Sequence, residues 1–274
     1  MIRIDAHHHI WRIDRGDYGW LTPDMAIHRD YALDDLRPLL ADIEGTILIQ
    51  AAPTDAETAF LLDAAHASDG LVRGVVGWAD LAAPDAPDRI AALAADSMLK
   101  GLRPMLQDME DTRWILRPEV RPALRAMTEL GLRLDLLIEP RHIPHLLVLA
   151  DRHPDLAMVI DHGAKPDIAK DVYESWAEAI AMIAKETPVF CKLSGLPAVA
   201  PFRWQMNDIR RYADHLLDSF GPRRLMWGSD WPVVELAGGY TRWKVISERL
   251  MFRARLADRP EIFGGTAARF YGIS

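Results

Sequence analysis

The feature that most constrains the fold is the alternation of short β-rich runs with longer segments of helical periodicity. Eight β-rich runs cover residues 2–10, 46–51, 72–78, 99–103, 132–138, 157–160, 189–193 and 225–227. Segments with helical periodicity lie between them, including residues 55–67, 86–97, 119–130, 168–185, 206–219 and 241–256. Strands that alternate with helices form right-handed crossovers, so this order predicts a parallel sheet.

The chain length fits one closed barrel. Eight strand and helix units in 274 residues predict a single (β/α)8 TIM barrel of the α/β class. We expect residues 1–274 to form one domain, because no linker, low-complexity tract or repeat interrupts them. An open doubly wound sheet is the alternative fold, but no Gly-x-Gly-x-x-Gly sequence follows a strand to favour it.

The charge balance is acidic and limits the class of partner. Lys and Arg total 32 against 40 Asp and Glu, which gives a net charge of −8. Such a chain has no basic excess for nucleic acid or an anionic membrane, so we expect a small polar substrate. Cys191 is the single cysteine, and neither a secretory signal nor a membrane span is apparent, so we expect a cytoplasmic protein.

Polar residues occur at the ends of nearly all the predicted strands. Active sites of TIM barrels lie at the carboxyl ends of the strands, where these side chains would meet. In chain order they are His7, His9, Gln50, Trp78, Asp80, Arg103, Asp135, Glu139, Asp161, His162, Lys192, Ser194, Ser229 and Asp230. The pattern therefore predicts a site at this end of the barrel.

His7 and His9 are two residues apart at the end of the first strand, so both side chains should face the barrel mouth. His8 should face the helices instead. Asp230 follows the eighth strand, which closes against the first, so its carboxylate should lie near both imidazoles. Imidazoles beside a carboxylate can bind a metal ion or act in general acid and base catalysis.

Five motifs, in this order, resemble the amidohydrolase superfamily and, more narrowly, its amidohydrolase-related branch of sugar lactonases. They are Asp5-Ala6-His7-His8-His9-Ile10-Trp11, Lys100-Gly101-Leu102-Arg103, Val159-Ile160-Asp161-His162-Gly163-Ala164-Lys165-Pro166, Lys192-Leu193-Ser194-Gly195-Leu196 and Gly228-Ser229-Asp230-Trp231-Pro232-Val233. The resemblance spans essentially the whole chain.

The resemblance implies a hydrolase that opens an aldono-1,4- or 1,5-lactone, such as L-fucono-, L-galactono- or L-rhamnonolactone, to the aldonic acid. In the family mechanism water attacks the lactone carbonyl while the strand-eight aspartate acts as base, and that aspartate corresponds to Asp230. His162 is implied either as a metal ligand or as a catalytic group facing the substrate.

The resemblance also implies a cofactor. One divalent ion, Zn²⁺ before others, would be held by His7, His9 and Asp230, with activity without metal as the alternative. The binuclear pattern of the superfamily needs a bridging carboxylate or carbamylated lysine and histidines on strands five and six. Strand five offers Asp135, Glu139 and, just beyond it, His142. We therefore expect one ion at most.

Five further residues are candidate substrate contacts. Arg103 would bind the lactone carbonyl or ring hydroxyls and then the product carboxylate, unless it forms an outward ion pair. Lys192 is either a donor to substrate or part of a structural salt bridge, and Gln50 either binds a hydroxyl or caps a strand. Trp20 and Trp231 could pack on the apolar face of a sugar ring, with core or lid packing as the alternative.

Two other functions remain open. A pyrone dicarboxylate hydrolase or decarboxylase of an aromatic pathway would need several cations, and Arg103 and Lys192 are the chief ones at the predicted mouth. A non-catalytic sugar-binding barrel would not need a carboxylate beside two imidazoles. Apolar residues on the outer helices would permit a homo-oligomer.

Overall fold

Eight parallel strands form one sheet in chain order in the computed structural model, which describes residues 2–273. The strands are β1 (Ile4–His8), β2 (Gly45–Ile49), β3 (Val72–Gly77), β4 (Leu99–Leu102), β5 (Arg133–Leu136), β6 (Met158–Ile160), β7 (Phe190–Leu193) and β8 (Leu225–Trp227). The segment after β8 returns to β1, where the backbone N–H of Asp230 donates to His7 O at 2.8 Å. The TIM-barrel prediction is confirmed.

Seven of the α-helices that the structure describes lie in the connections between consecutive strands, and the last two follow β8. They are α1 (Leu33–Leu36), α2 (Asp55–His66), α3 (Ala86–Ala94), α4 (Arg121–Glu129), α5 (Ile143–Arg152), α6 (Glu174–Glu186), α7 (Met206–Phe220), α8 (Tyr240–Leu250) and α9 (Thr266–Tyr271). Among residues 2–273, no helix is both long and apolar enough to cross a membrane.

The first crossover differs from the expected strand and helix unit. Between β1 and β2 the only α-helix is the single turn α1. The rest of this connection is a loop in which Trp11 packs edge-on against both Trp20 and Tyr31, with ring centroids 5.4 Å apart in each pair. Burial of these aromatic rings replaces the packing that a longer helix would supply.

The barrel interior is filled from below by the C-terminal helix. Phe270 and Tyr271 of α9 pack with interior residues of the strands, which include Ile4, Ala6, Ile47, Ile49, Val76, Val159 and Met226. At the amino end of β5, the Arg133 Nε atom donates to Phe270 O at 2.6 Å. The C-terminal helix therefore covers the lower end of the barrel, opposite the carboxyl ends of the strands.

A register shift in β1 directs the first histidine inward. Ile4 and Ala6 already face the interior, so strict alternation would turn His7 outward. The pairing with β2 shifts by one residue between Asp5 and His8, as in a β-bulge. His7 consequently faces the interior, while His8 contacts Thr46 Oγ1 at 2.9 Å on the outer side.

Candidate active site

Three imidazoles surround one carboxylate at the mouth of the barrel. The Nε2 atoms of His9, His7 and His162 lie 3.4, 3.7 and 3.8 Å from Asp230 Oδ1. His7 Nε2 and His9 Nε2 are 3.2 Å apart. The predicted proximity of the strand-one histidines to Asp230 is therefore present in the structure, and His162 joins them from the end of β6.

Burial determines the charge of these groups. It lowers the pKa of His162 to about 4 and lowers the pKa values of His7 and His9 below the usual histidine value. Burial alone would raise the pKa of Asp230, but the surrounding imidazoles and the hydrogen bond with His9 hold it below its usual range. At neutral pH the cluster consists of uncharged imidazoles around an ionised carboxylate.

These residues fit a divalent metal ion. A tetrahedral zinc site with bonds of about 2.0–2.1 Å places its ligand atoms about 3.3 Å apart, close to the separations of 3.2–3.8 Å in the cluster. His9 Nδ1 contacts Ile49 O at 2.8 Å, which requires the proton on Nδ1 and leaves the Nε2 lone pair free. His7, His9 and Asp230 form one group able to hold an ion.

A second group that could hold an ion is formed by His7, Asp161 and His162. Its carboxylate already faces two cationic side chains of the protein. Lys192 Nζ lies 3.0 Å from Asp161 Oδ1, and Arg103 Nη1 lies 3.2 Å from Asp161 Oδ2. Both carboxylate oxygens are therefore paired. An ion held by this second group would have to compete with both cations for Asp161.

Lys192 belongs to a layer of charge below the histidines, which we call the buried ion layer and which comprises Lys192, Asp135, Asp161 and Tyr271. Lys192 Nζ lies 2.5 Å from Asp135 Oδ2 and 3.1 Å from His7 Nδ1. The Tyr271 hydroxyl donates to Asp135 Oδ2 at 2.7 Å. All four side chains are essentially inaccessible to solvent. Of the two predicted roles for Lys192, its position therefore matches the structural salt bridge.

The other candidates on strand five are also engaged away from the histidine cluster. Glu139 pairs with Arg141 at 2.8 Å near the surface. His142 is buried, and its Nδ1 accepts a hydrogen bond from Glu139 N at 3.1 Å. Neither residue joins the groups that could hold a metal.

Arg103 reaches the mouth, but its guanidinium is held by protein groups. Nη2 donates to Gln50 Oε1 at 3.0 Å and also to Gln50 O, while Nη1 faces Asp161. Gln50 in turn donates from Nε2 to Arg103 O at 2.9 Å and is fully buried. Gln50 therefore orients Arg103 and does not itself reach the cavity.

A left-handed turn follows β6 and directs two side chains to the same side. Residues 162–165 have φ values of 55°, 58°, 61° and 49°, and Lys165 N donates to His162 O at 3.0 Å. Three residues complete one turn of this kind, so the first and fourth side chains lie one above the other. Non-glycine residues adopt this conformation at a cost of about 1–2 kcal/mol each, and here it brings His162 and Lys165 to one cavity.

The turn is held in place by its neighbours. Trp176 of α6 donates from Nε1 to Gly163 O at 2.7 Å, and Ser194 Oγ lies 2.9 Å from His162 Nδ1. Gly195 has a φ of 64°, and a Cβ atom there would lie 2.5 Å from the His162 ring. The imidazole is therefore fixed from both sides.

A cavity of about 170 Å³ opens above these groups. It is lined by His9, Trp20, Ala51, Arg103, Met105, Gln107, Leu137, His162, Lys165, Asp230 and Val233. Of the residues predicted for the site, His7, Gln50, Lys192 and Trp231 lie outside this lining. Trp231 is buried and packs edge-on against Tyr31, with centroids 5.2 Å apart.

Trp20 covers one side of the cavity and is fixed there. Its Nε1 atom donates to Ala51 O at 2.8 Å. The loop that bears it is anchored by the buried Glu57 carboxylate, which accepts hydrogen bonds from the Tyr18 hydroxyl at 2.7 Å and from Ala51 N at 2.9 Å. Residues 11–31 thus hold a fixed aromatic wall beside the cavity.

The sequence analysis included Asp161 among the strand-end residues without assigning it a specific role, and it did not identify Lys165 or Gln107 as site residues. The motif around His162 contains both Asp161 and Lys165, so their position after a strand was the available signal. Gly163 was the one residue in the sequence that indicated the left-handed turn which directs Lys165 toward the cavity. Gln107 lies on a 3₁₀ turn at residues 106–108, and nothing in the sequence places it beside Lys165.

Comparison with known proteins agrees with this geometry. The model of the Amidohydrolase family matches residues 4–273. The chain is 44% identical to an L-fucono-1,5-lactonase of Burkholderia ambifaria, over 99% of this chain and 96% of that protein. It is 35% identical to an L-fucono-1,5-lactonase of Burkholderia multivorans, again over 99% of this chain and 96% of that protein.

A crystal structure of an amidohydrolase from Burkholderia multivorans with bound zinc superposes on the whole chain. The TM-score is 0.93, the identity is 35%, and both chains are covered completely. The barrel, the cluster at its mouth and these matches over nearly the full length lead to one conclusion: the chain belongs to the amidohydrolase family.

Proposed function

We propose that the protein hydrolyses a sugar lactone to the aldonic acid, with L-fucono-1,5-lactone as the first substrate to test. The observation that carries this proposal is the ionised Asp230 carboxylate among three imidazole Nε2 atoms on the wall of a small cavity. The relatives that are 44% and 35% identical and are named for this lactone support the choice of substrate.

Asp230 acts as the general base. Its low pKa keeps it ionised, so it can accept a proton from the water that attacks the lactone carbonyl carbon. The new bond joins the water oxygen to that carbon, and the bond from the carbon to the ring oxygen breaks. The ring oxygen takes a proton, for which Asp230 or His162 is the nearest carrier. At neutral pH the acid product ionises, so each turnover releases one proton.

We assign the metal site to His7, His9 and Asp230, with His162 as the adjacent imidazole. A bound divalent ion, Zn²⁺ in the first instance, would polarise the carbonyl and lower the pKa of water. The Ile49 carbonyl orients the ring of His9, and Asp161 Oδ1, 3.5 Å from His7 Nδ1, can accept the Nδ1 proton of His7 and leave its Nε2 atom for the ion. Activity without a metal is the alternative that analysis of metal content tests.

Trp20 and Arg103 are the direct substrate contacts that we retain among the five predicted. Trp20 offers a fixed ring face to the sugar, and Arg103 lies on the cavity wall. Gln50, Lys192 and Trp231 act through other residues: Gln50 orients Arg103, Lys192 pairs with Asp161, and Trp231 packs behind the wall.

The pyrone dicarboxylate alternative has less support. Such a substrate carries two carboxylates, and Lys192, one of the two cations assigned to it, lies below the cavity and pairs with Asp135 and Asp161. A cytoplasmic location, a homo-oligomeric state and the absence of nucleic-acid or membrane partners stay predictions from the sequence.

The test is a panel of D- and L-aldonolactones assayed by proton release with a pH indicator. We expect the purified protein to accelerate opening of at least one, with L-fucono-1,5-lactone among the best. Asp230→Asn should lower kcat by about 10³-fold, since the base is lost while the shape is kept. Asp63→Asn, at an exposed position on α2, is the matched control. No acceleration with any lactone, or full activity of Asp230→Asn, would contradict the proposal.

A further inference from the structure

The product of the proposed reaction carries a charge that the lactone lacks, and the cavity wall already contains the ionised Asp230. A carboxylate formed beside Asp230 needs a cation with free hydrogen-bond donors. Two cationic side chains line the cavity, Arg103 and Lys165. Their hydrogen bonds distinguish them.

Arg103 has few donors left. Both terminal nitrogens are engaged, Nη1 by Asp161 and Nη2 by the side chain and backbone of Gln50. Nε is buried and faces no acceptor among residues 2–273. The positive charge of Arg103 is also balanced by the negative charge of Asp161, 3.2 Å away. Arg103 therefore lines the cavity but has little hydrogen-bonding capacity left for a newly formed carboxylate.

Lys165 differs in each of these respects. Within residues 2–273, its ammonium has one hydrogen-bond acceptor, the side-chain oxygen Gln107 Oε1, and forms no salt bridge with a carboxylate. Since an ammonium has three donors, two remain for a ligand. The side chain is half-buried, so its charge is only partly screened by solvent. The left-handed turn holds it above the same cavity as His162.

We infer that Lys165, supported by Gln107, is the cavity cation that binds the carboxylate of the opened product and the carbonyl oxygen that becomes part of it. This inference rests on the proposed function and adds a residue to it. It also transfers to Lys165 the carboxylate-binding role predicted for Arg103. Charge-assisted hydrogen bonds to a carboxylate are the strong kind, so loss of this one should weaken product binding about 10- to 100-fold.

The test measures inhibition of lactone hydrolysis by the matching aldonate, L-fuconate for L-fucono-1,5-lactone, using the intact protein. Lys165→Met should raise the inhibition constant about 10- to 100-fold, and Lys165→Arg should keep it within about threefold because the charge remains. Gln107→Glu leaves the lysine in place but supplies a carboxylate to pair with it, so it should also raise the inhibition constant. Lys170→Met, which removes an exposed lysine from the same loop, is the control and should change nothing.

The outcomes separate this inference from the proposed function. If the wild-type protein opens no aldonolactone, the proposed function itself is contradicted. If it does so but is not inhibited by the aldonate, or if Lys165→Met and Gln107→Glu are inhibited as strongly as the wild type, lactone hydrolysis stands and the role of Lys165 is refuted. Equal weakening by Lys165→Arg and Lys165→Met would also refute a role for the charge.

Discussion

Two lysines in the barrel show how depth changes the use of the same side chain. Lys192, in the buried ion layer, lies 2.5 Å from Asp135 Oδ2 and 3.0 Å from Asp161 Oδ1, so two carboxylates balance its charge. Lys165, on the cavity wall, has the single partner Gln107 among the described residues. A lysine that is paired with buried carboxylates supports the fold, whereas one with free donors is available to a ligand.

The largest expected effect is on stability and tests the buried ion layer. Lys192→Met leaves Asp135 and Asp161 buried without their ammonium, so the free energy of unfolding should fall by about 3–5 kcal/mol. The matched variant Lys165→Met leaves no paired carboxylate behind and should lower it by less than about 1 kcal/mol. Urea unfolding followed by circular dichroism measures both. Equal losses in the two variants would break the comparison.

His8, buried on the outer face of β1, extends the comparison to the pH dependence of stability. Burial lowers the pKa of His8 to about 3 in the folded protein, against about 6.5 in an unfolded chain. The unfolded state therefore binds this proton more readily, so the stability contribution is present above pH 6.5 and is lost as pH falls toward 3. Between pH 6.5 and 5 this amounts to about 2 kcal/mol.

The measurement is the free energy of unfolding at pH 7 and pH 5 for two variants. His8→Gln should reduce the difference between these two values by about 2 kcal/mol. His28→Gln, at a half-buried position in the loop after β1, is the control and should leave the difference unchanged within about 0.5 kcal/mol. An unchanged difference in His8→Gln would mean that His8 is not held neutral by burial.

The smallest effect tests the link from the C-terminal helix to the buried ion layer. Tyr271→Phe removes one hydrogen bond to Asp135, which keeps its contact with Lys192. We expect a loss of about 1.5 kcal/mol in unfolding free energy and lactone turnover within about twofold of wild type. Phe270→Leu, on the same helix, controls for packing. A large loss of turnover with unchanged stability would instead give Tyr271 a role in the site.

Much of the fold was predictable because its signals are local. Parallel strands separated by helices have a strong preference for right-handed crossovers, and eight such units leave the closed barrel as the best solution. The exception is the first crossover. The sequence showed no helical segment between residues 10 and 46, but it did not reveal that the aromatic residues there pack on one another, as Trp11 does on Trp20 and Tyr31.

The site was predictable only to the level of strand ends. Chain order placed His7, His9, His162 and Asp230 at one end of the barrel, and the structure brings their ring nitrogens within 3.8 Å of the carboxylate. How deep each side chain lies below the cavity was not predictable from the sequence. Arg103, Lys192 and Gln50 all follow or end strands, yet the first reaches the cavity and the other two do not.

The sequence by itself therefore determined the barrel, its functional end and the identity of the histidine and aspartate cluster, because strand order and side-chain alternation follow from local pattern. Only the tertiary structure decided which cation is free. That depends on how many donors each side chain has already used, and these contacts join residues far apart in the chain, such as Lys192 with Asp135 and Lys165 with Gln107. The turn that aims Lys165 is likewise held by packing from α6, which no local pattern encodes.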